Sequence, residues 1–134
     1  MKFIEWNPDY ELEIKIVDQQ HQKLIDIINE LHDAMLQRHS REKLPKILQA
    51  LTDYTLIHFR TEEELMQRYN YKHKASHHDE HEDFVKKVLE WKAQLEKNYT
   101  ISIEIVHYLK EWLNEHILAT DKDMATFLRE KGIK

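Results

Sequence analysis

The scarcity of glycine and proline restricts most strongly what this chain can fold into. The chain contains one glycine and two prolines among its 134 residues. Strands joined by tight turns need both residue types at the turns, whereas the interiors of long helices exclude both. We therefore predict an all-α protein. A chain of this length is also large enough to bury one core, which predicts a single domain over residues 1–134.

Charge and cysteine content exclude several classes of protein. The formal net charge of −5 argues against nucleic-acid binding, because phosphate backbones attract clustered lysine and arginine. The absence of cysteine excludes disulfides, thiolate zinc sites and cysteine nucleophiles. No segment is apolar for long enough to serve as a signal peptide or a membrane span. We expect a cytoplasmic protein that contacts neither nucleic acid nor membrane.

Apolar residues recur at spacings of three and four along four segments, a period typical of amphipathic helices. The predicted helices span residues 18–38, 41–69, 73–97 and 101–119, and a short C-terminal helix follows at 121–130. Asp18 and Ser40 are the candidate N-caps, and Asn70 is the candidate turn residue after the second helix. Short connections between neighbouring helices favour an up-down-up-down four-helix bundle. No further apolar stripe remains once the four core faces are assigned, so we expect a monomer.

The first 17 residues lack this helical period and are predicted to form an N-terminal arm. Its aromatic residues Phe3, Trp6 and Tyr10 are expected to dock on the bundle. The arm therefore belongs to the same domain as the helices.

Polar side chains interrupt the apolar stripes of all four helices. They are His21, His58, Glu62, His77, His81 and His116. Residues four apart share one helical face, and in an up-down-up-down bundle all six fall at the same end. A hydrocarbon core offers an imidazole few partners, so several imidazoles at one level indicate a metal site rather than independent structural histidines.

The remaining histidines are interpreted as surface or ordinary core residues: His32, His39, His73, His78 and His107. His107 lies about 180° around the helix from His116, so only one of them can face the core. The apolar neighbours of His116 favour that residue. The sequence Glu104-Ile105-Val106-His107 then turns outward, which argues against a ferritin-like carboxylate site built on Glu-x-x-His motifs.

Five imidazoles and at least one carboxylate are too many ligands for a single zinc ion, which takes four. Two metal ions account for them better. Nitrogen and oxygen ligands without sulfur suit iron, and ligand type alone leaves manganese, copper and zinc open. The carboxylate from the last helix is ambiguous on spacing, because Asp121 lies about 140° around an ideal helix from His116. It needs a local irregularity to reach the metals, and Asp123 and Glu115 compete with it.

The complete pattern resembles the hemerythrin family, and within it the single-domain bacteriohemerythrins. It reads His21 … His58-x-x-x-Glu62 … His77-x-x-x-His81 … His116-x-x-x-x-Asp121. The flanking segments VDQQHQKL, HFRTEEELM, HEDFV and EWLNEHILATDKD agree, as does Trp6 in the arm. The match spans nearly the whole chain, with all seven ligand positions filled. One departure is Glu13, where many relatives have glycine.

This resemblance implies two iron ions joined by a bridging hydroxide or oxide. One iron would be held by His77, His81 and His116, the other by His21 and His58, with Glu62 and Asp121 bridging both. The second iron would keep an open position for O2. Leu113 matches the family position that lines the O2 pocket, and Ile25, Ile117 and Trp112 are further candidates for its wall.

The function implied is reversible O2 binding for carriage, storage or delivery, rather than enzymatic catalysis. A redox enzyme that reduces nitric oxide or peroxide at the same centre is one alternative, since ligands alone do not separate the two. A sensor of O2 or redox state that acts through a partner protein is another, and a bundle with purely structural histidines is the last. The apolar Leu113 favours reversible binding over turnover.

Overall fold

A computed structural model describes residues 3–37, 42–96 and 103–134 of the chain. Its helices are α1 (Lys15–Leu36), α2 (Leu44–Arg68), α3 (Lys74–Glu96), α4 (Ile103–Glu115) and α5 (Lys122–Glu130), and a π-helical segment, His116–Asp121, joins the last two. Helix α1 packs against α2 and α4, and α2 also packs against α3. The predicted all-α four-helix bundle is confirmed, and the described residues contain no strand.

The N-terminal arm lies against the bundle. Its one short 3-10 turn, Pro8–Tyr10, begins where the Asn7 side chain accepts a hydrogen bond from the Asp9 amide. The Tyr10 ring is buried and its hydroxyl donates to the Asn114 side chain. Earlier in the arm, Phe3 stacks on His32 with ring centroids 4.1 Å apart. Trp6 also packs against the core.

The start of α1 differs from the prediction. The helix begins at Lys15, with Ile14 rather than Asp18 at its N-cap. Asp18 instead accepts hydrogen bonds from the amides of Leu12 and Glu13. These bonds hold the arm in a sharp turn at Glu13, whose φ of 63° lies in the left-handed region that glycine favours. The carboxylate of Asp18 therefore caps the turn before the helix instead of the helix itself.

The end of α2 agrees with the prediction, and the junction between α4 and α5 differs from it. After α2, Asn70 adopts a φ of 56°, and the Tyr71 amide bonds to the Met66 carbonyl. This left-handed residue ends the helix as the sequence predicted. The proposed cap Ser40 lies outside the described residues. The predicted break before residue 121 is absent, because the backbone passes from α4 into α5 through the π-helical segment.

Most of the core is apolar, with fully buried side chains such as Leu31, Leu48 and Leu109. The buried histidines and carboxylates are grouped in one part of it, which includes the π-helical segment. Within the described residues, no helix combines the length and the apolar character needed to span a bilayer.

Candidate metal centre

All seven residues named from the sequence meet inside the bundle. They are His21, His58, Glu62, His77, His81, His116 and Asp121, and none is more than 3% exposed. His107 is exposed and the His78 side chain is 45% exposed, so both turn away from this cluster. Helices α1, α2 and α3 and the π-helical segment each contribute at least one of the seven, so all of them lie on helical backbone.

The π-helical segment brings Asp121 into the cluster. Its backbone accommodates five residues between successive aligned positions, instead of about four in an α-helix. His116 and Asp121 thus share one face although they are five positions apart in the sequence, and their side-chain atoms approach to 3.1 Å. The competing carboxylates Glu115 and Asp123 are exposed. Asp121 needed a local irregularity to reach the other residues of the cluster, and the structure contains one.

Glu62 divides its two carboxylate oxygens between two groups of histidines. Oε2 lies 3.4 Å from Nε2 of His21 and 3.2 Å from Nε2 of His58. Oε1 lies 3.3 Å from Nε2 of His77 and 3.0 Å from Nε2 of His81. One carboxylate therefore faces two separate positions at which a cation could be held.

Asp121 divides its oxygens in the same way. Oδ2 lies 3.0 Å from Nε2 of His21, while Oδ1 lies 2.9 Å from Nε2 of His77 and 3.1 Å from Nε2 of His116. The donor atoms form two overlapping groups that share both carboxylates. We call them the two-histidine position, with His21 and His58, and the three-histidine position, with His77, His81 and His116.

The hydrogen bonding of these atoms fits metal ligands better than mutual partners. Within the described residues, Nε2 of His21 and His58 and both oxygens of Asp121 are buried without a hydrogen-bond partner. They lie close to one another but do not point at one another. Nε2 of His81 and Nε2 of His116 even face each other at 3.0 Å. Buried unpaired polar atoms are costly, and a cation between them satisfies all of them together.

Three residues accept hydrogen bonds from Nδ1 of these histidines, the ring nitrogen that faces away from the cluster. We call these three residues the outer acceptors. Gln20 Oε1 lies 2.7 Å from Nδ1 of His58. Glu63 Oε2 lies 3.0 Å from Nδ1 of His81, and Glu80 Oε1 lies 2.9 Å from Nδ1 of His116. A hydrogen on each Nδ1 leaves Nε2 free to bind a metal, so these bonds select the tautomer that a ligand needs.

Without a metal, protons hold the cluster together. Burial lowers the pKa of His77, but the nearby carboxylates of Asp121 and Glu62 outweigh it and raise that pKa to about 10. The same balance raises the pKa of His21 to about 9. Burial disfavours the charged form of both carboxylates. The neighbouring histidines nevertheless hold the pKa values of Glu62 and Asp121 well below their ordinary range. A metal ion must displace the histidine protons when it binds.

A small cavity adjoins the cluster. Its volume is about 10 Å³, roughly the room that one water-sized molecule occupies. Its wall is formed by Leu24, Ile28, Leu51, Phe59, Phe84, Trp112 and Leu113, together with His21, His58, His116 and Asp121. The cavity thus touches both histidines of the two-histidine position but only one histidine of the three-histidine position.

Two of the four pocket residues expected from the sequence line this cavity, and two do not. Leu113 and Trp112 form part of its wall. Ile117 is buried elsewhere in the core, and Ile25 faces an outer pocket with Ile4 of the arm. Ile25 follows Leu24, so its side chain points about 100° away around α1. It is Leu24 that faces the cavity.

Other residues that contact the cluster could not be identified from the sequence. Phe59 stacks on the His81 ring with centroids 3.7 Å apart, and Trp112 stacks on His116 at 4.4 Å. The outer acceptor Gln20 adjoins His21 in sequence but bonds to His58 on α2. Its bond therefore crosses between two helices and cannot be read from neighbouring positions in the sequence.

Comparisons with known proteins agree with this geometry. Residues 12–128 match the family described as "Hemerythrin HHE cation binding domain". The chain belongs to the hemerythrin family. A bacteriohemerythrin of Stenotrophomonas maltophilia is 34% identical over 125 residues, which are 93% of this chain and 81% of that protein. The bacteriohemerythrin of Methylococcus capsulatus is 30% identical over 128 residues, or 91% of this chain and 94% of that one.

Solved hemerythrin structures share the fold. A wild-type hemerythrin superposes with a TM-score of 0.88 at 27% identity and covers 94% of this chain and 98% of its own. A hemerythrin variant with leucine replaced by alanine gives a TM-score of 0.90, with 96% and 98% covered. Membership of the hemerythrin family, together with the buried cluster of histidines and carboxylates, supports an iron site of the hemerythrin type.

Proposed function

We propose that this hemerythrin-family protein binds O2 reversibly at a pair of iron ions. His77, His81 and His116 would hold one iron, and His21 and His58 the other. Glu62 and Asp121 would bridge the two, together with a hydroxide or oxide ion. When bound, the iron pair supplies the electrons that O2 takes up and returns.

The observation that carries this proposal is the position of the cavity. It lies against His21 and His58, the position with fewer protein ligands and therefore with room for a further one. Its other walls are mostly aliphatic and aromatic. Such walls suit a small apolar molecule such as O2 better than a large or charged substrate.

The chain's own residues have three tasks in this proposal. The two carboxylates balance the charge of the cations, which lets the metals lie in a buried core. Leu113 and its apolar neighbours keep water and protons away from the site, which opposes the irreversible loss of reduced oxygen. The outer acceptors keep each bonded imidazole in the tautomer and orientation that a ligand requires.

A redox enzyme at the same centre is the second candidate. The cavity admits nitric oxide as readily as O2 because the two molecules are similar in size. Its apolar wall argues against this function, because Leu24, Leu51 and Leu113 have no proton to give, and reduction of nitric oxide or peroxide consumes protons. Rapid turnover of either compound with a reductant would favour the enzyme.

The deciding experiment is a visible absorption spectrum of iron-loaded protein prepared without air. We expect a nearly colourless sample, a charge-transfer band when air is admitted, and loss of that band under argon. A ferric spectrum that argon does not reverse would reject reversible binding and favour the redox enzyme. Failure of the protein to retain iron would reject the metal assignment as a whole.

A further inference from the structure

The outer acceptors differ in charge between the two metal positions. At the three-histidine position they are carboxylates, Glu63 on His81 and Glu80 on His116. At the two-histidine position the single acceptor is the neutral amide of Gln20, on His58. Nδ1 of His21 has no partner within the described residues. Negative charge behind the ligands is therefore concentrated on one side of the site.

We infer that this difference makes the protein load its two metal ions in order, with the three-histidine position filled first. The inference rests on the proposed two-metal centre and adds a filling sequence to it. The position beside the cavity is then the last to fill. Protein that holds a single metal ion would lack the ion at which O2 is proposed to bind.

The physical reason lies in how an imidazole shares electrons. An imidazole that donates its Nδ1 hydrogen to a carboxylate becomes more basic at Nε2 and binds a cation more strongly. Glu63 and Glu80 act in this way on two of the three ligands at one position. An amide acceptor such as Gln20 Oε1 orients His58 but adds no charge. The bridging residues Glu62 and Asp121 face both positions, so they do not create the inequality.

Burial explains why the two kinds of acceptor lie where they do. The Glu63 and Glu80 side chains are 31% and 43% exposed, so water can solvate each carboxylate while it accepts from a buried histidine. Gln20 is 7% exposed, and a charge at that position would be costly without a cation. Its amide is held by a hydrogen bond from Nε2 to Thr61.

The test is a titration of the metal-free, full-length protein with Co²⁺ against a competing chelator. The visible bands of Co²⁺ report each binding step, and two dissociation constants are obtained. We expect Glu63→Gln and Glu80→Gln each to weaken the tighter step by about 10-fold or more. The weaker step should change less than about 3-fold, on the same reasoning that the outer acceptors act on their own ligand. Equal changes in both steps, or an unchanged tighter step, would overturn the inference.

The reverse substitution provides an independent test. Gln20→Glu places a carboxylate behind His58, and we expect it to strengthen the weaker step by about 10-fold. This variant keeps the inference falsifiable even if the glutamate variants fold poorly, because a weaker step that stays unchanged or becomes weaker contradicts it. Circular dichroism of each metal-free variant establishes that the bundle is intact.

Glu82→Gln is the matched control. Glu82 lies 3.1 Å from His78 on the surface of α3 and is a carboxylate of the same kind, without a bond to any of the five clustered imidazoles in the described residues. Both dissociation constants should stay within about 2-fold of wild type, since no ligand loses its acceptor. Wild-type protein that takes up one Co²⁺ or none would contradict the two-metal centre itself, a result distinct from two equal constants, which would contradict only the filling order.

Discussion

Two segments of the molecule perform the same task with different backbones. On α2, His58 and Glu62 are four residues apart in a regular α-helix. In the π-helical segment, His116 and Asp121 are five residues apart. Each segment presents one imidazole and one carboxylate to the cluster, and a threonine precedes the carboxylate in both. The site therefore requires a particular position of the side chains rather than a particular spacing in the sequence.

The π-helical segment determines where the Asp121 carboxylate points. In an α-helix, Asp121 would point about 140° away from His116, and its carboxylate could not face His21 at 3.0 Å as it does. The π-helical segment takes up the extra residue locally. Beyond it, α5 still directs Met124 and Leu128 into the core, where neither is exposed. The irregularity therefore moves one carboxylate without disturbing the packing that follows.

The largest contrast is expected from single-residue deletions in the two segments. Deletion of the exposed Ala119 should turn the π-helical segment into α-helix, leaving a His–Asp pair four apart like His58 and Glu62. Deletion of the exposed Arg60 should rotate the later part of α2 by about 100°. We expect the Ala119 deletion to fold and bind two Co²⁺ ions, and the Arg60 deletion to lose both properties. Thermal unfolding and metal titration measure this, and equal damage from both deletions would contradict the comparison.

Loss of charge at either carboxylate should have the next largest effect. Glu62→Gln and Asp121→Asn each remove a negative charge that faces both metal positions. We expect each variant to bind both metal ions at least about 10-fold more weakly. The metal-free proteins should lose about 3–5 kcal/mol of unfolding free energy, since each leaves buried histidinium without its partner.

Chelator-competed titration and denaturant unfolding provide the two measurements. Ser76→Ala is a suitable control, because Ser76 is exposed and, among the described residues, its hydroxyl bonds to the nearby His73 carbonyl alone. If either Glu62→Gln or Asp121→Asn left both dissociation constants unchanged, the two segments would not be equivalent.

The same two segments show how far the sequence alone could lead. The regular spacing of His58 and Glu62, and of His77 and His81, was enough to place these residues on core-facing stripes. Asp121 could not be placed by helical geometry, because the π-helical segment has no signal in the apolar period. Only the resemblance to hemerythrins selected it. The spacing of apolar residues predicts a regular helix, but it does not predict where a helix becomes irregular.

Other residues were assigned wrongly or overlooked because their roles also depend on contacts that the sequence does not show. Asp18 was predicted as a helix cap because its residue type favours that role, but the turn at Glu13 uses it instead. The outer acceptors Glu63 and Glu80 were not identified at all. Their role depends on which helix lies opposite, and a single sequence does not contain that distance.

In the metal-free protein, the histidines of the two segments, His58 and His116, should have pKa values shifted in opposite directions. For His116, burial lowers the pKa, but Asp121 and Glu80 outweigh it and raise that value to about 9. For His58, burial prevails over the attraction of Glu62 and lowers the pKa below 6.5. We therefore expect His116 to lose its proton near pH 9, and His58 to be neutral already at pH 7. Ring-nitrogen NMR of ¹⁵N-histidine-labelled protein measures both.

These shifts give stability changes of opposite sign. A raised pKa stabilises the folded state below pH 6.5, and His116 loses that contribution as the pH rises through about 9. A lowered pKa costs stability as the pH falls below 6.5, because the unfolded His58 then binds a proton more readily. The metal-loaded protein should not show the alkaline loss, since its ligands are already deprotonated. An alkaline loss of equal size with metal bound would contradict this assignment.

The smallest effect is expected at the two threonines that precede the carboxylates. Thr61 accepts a hydrogen bond from Gln20, and Thr120 donates one to Glu80 at 2.9 Å. Each hydroxyl steadies the outer acceptor of the histidine in its own segment. Replacement by valine removes one such bond, worth about 0.5–1.5 kcal/mol, or about a 2- to 12-fold change in affinity.

We expect Thr61→Val to weaken mainly the looser Co²⁺ step and Thr120→Val mainly the tighter one. Thr126→Val is the control, because Thr126 is an exposed residue of α5 whose hydroxyl bonds to the Lys122 carbonyl of its own helix. If the two valine variants weakened the same step, the segments would act on one shared metal position. Opposite steps would establish that the α-helical and π-helical segments each govern a separate ion, because each threonine reaches only the acceptor on its own side.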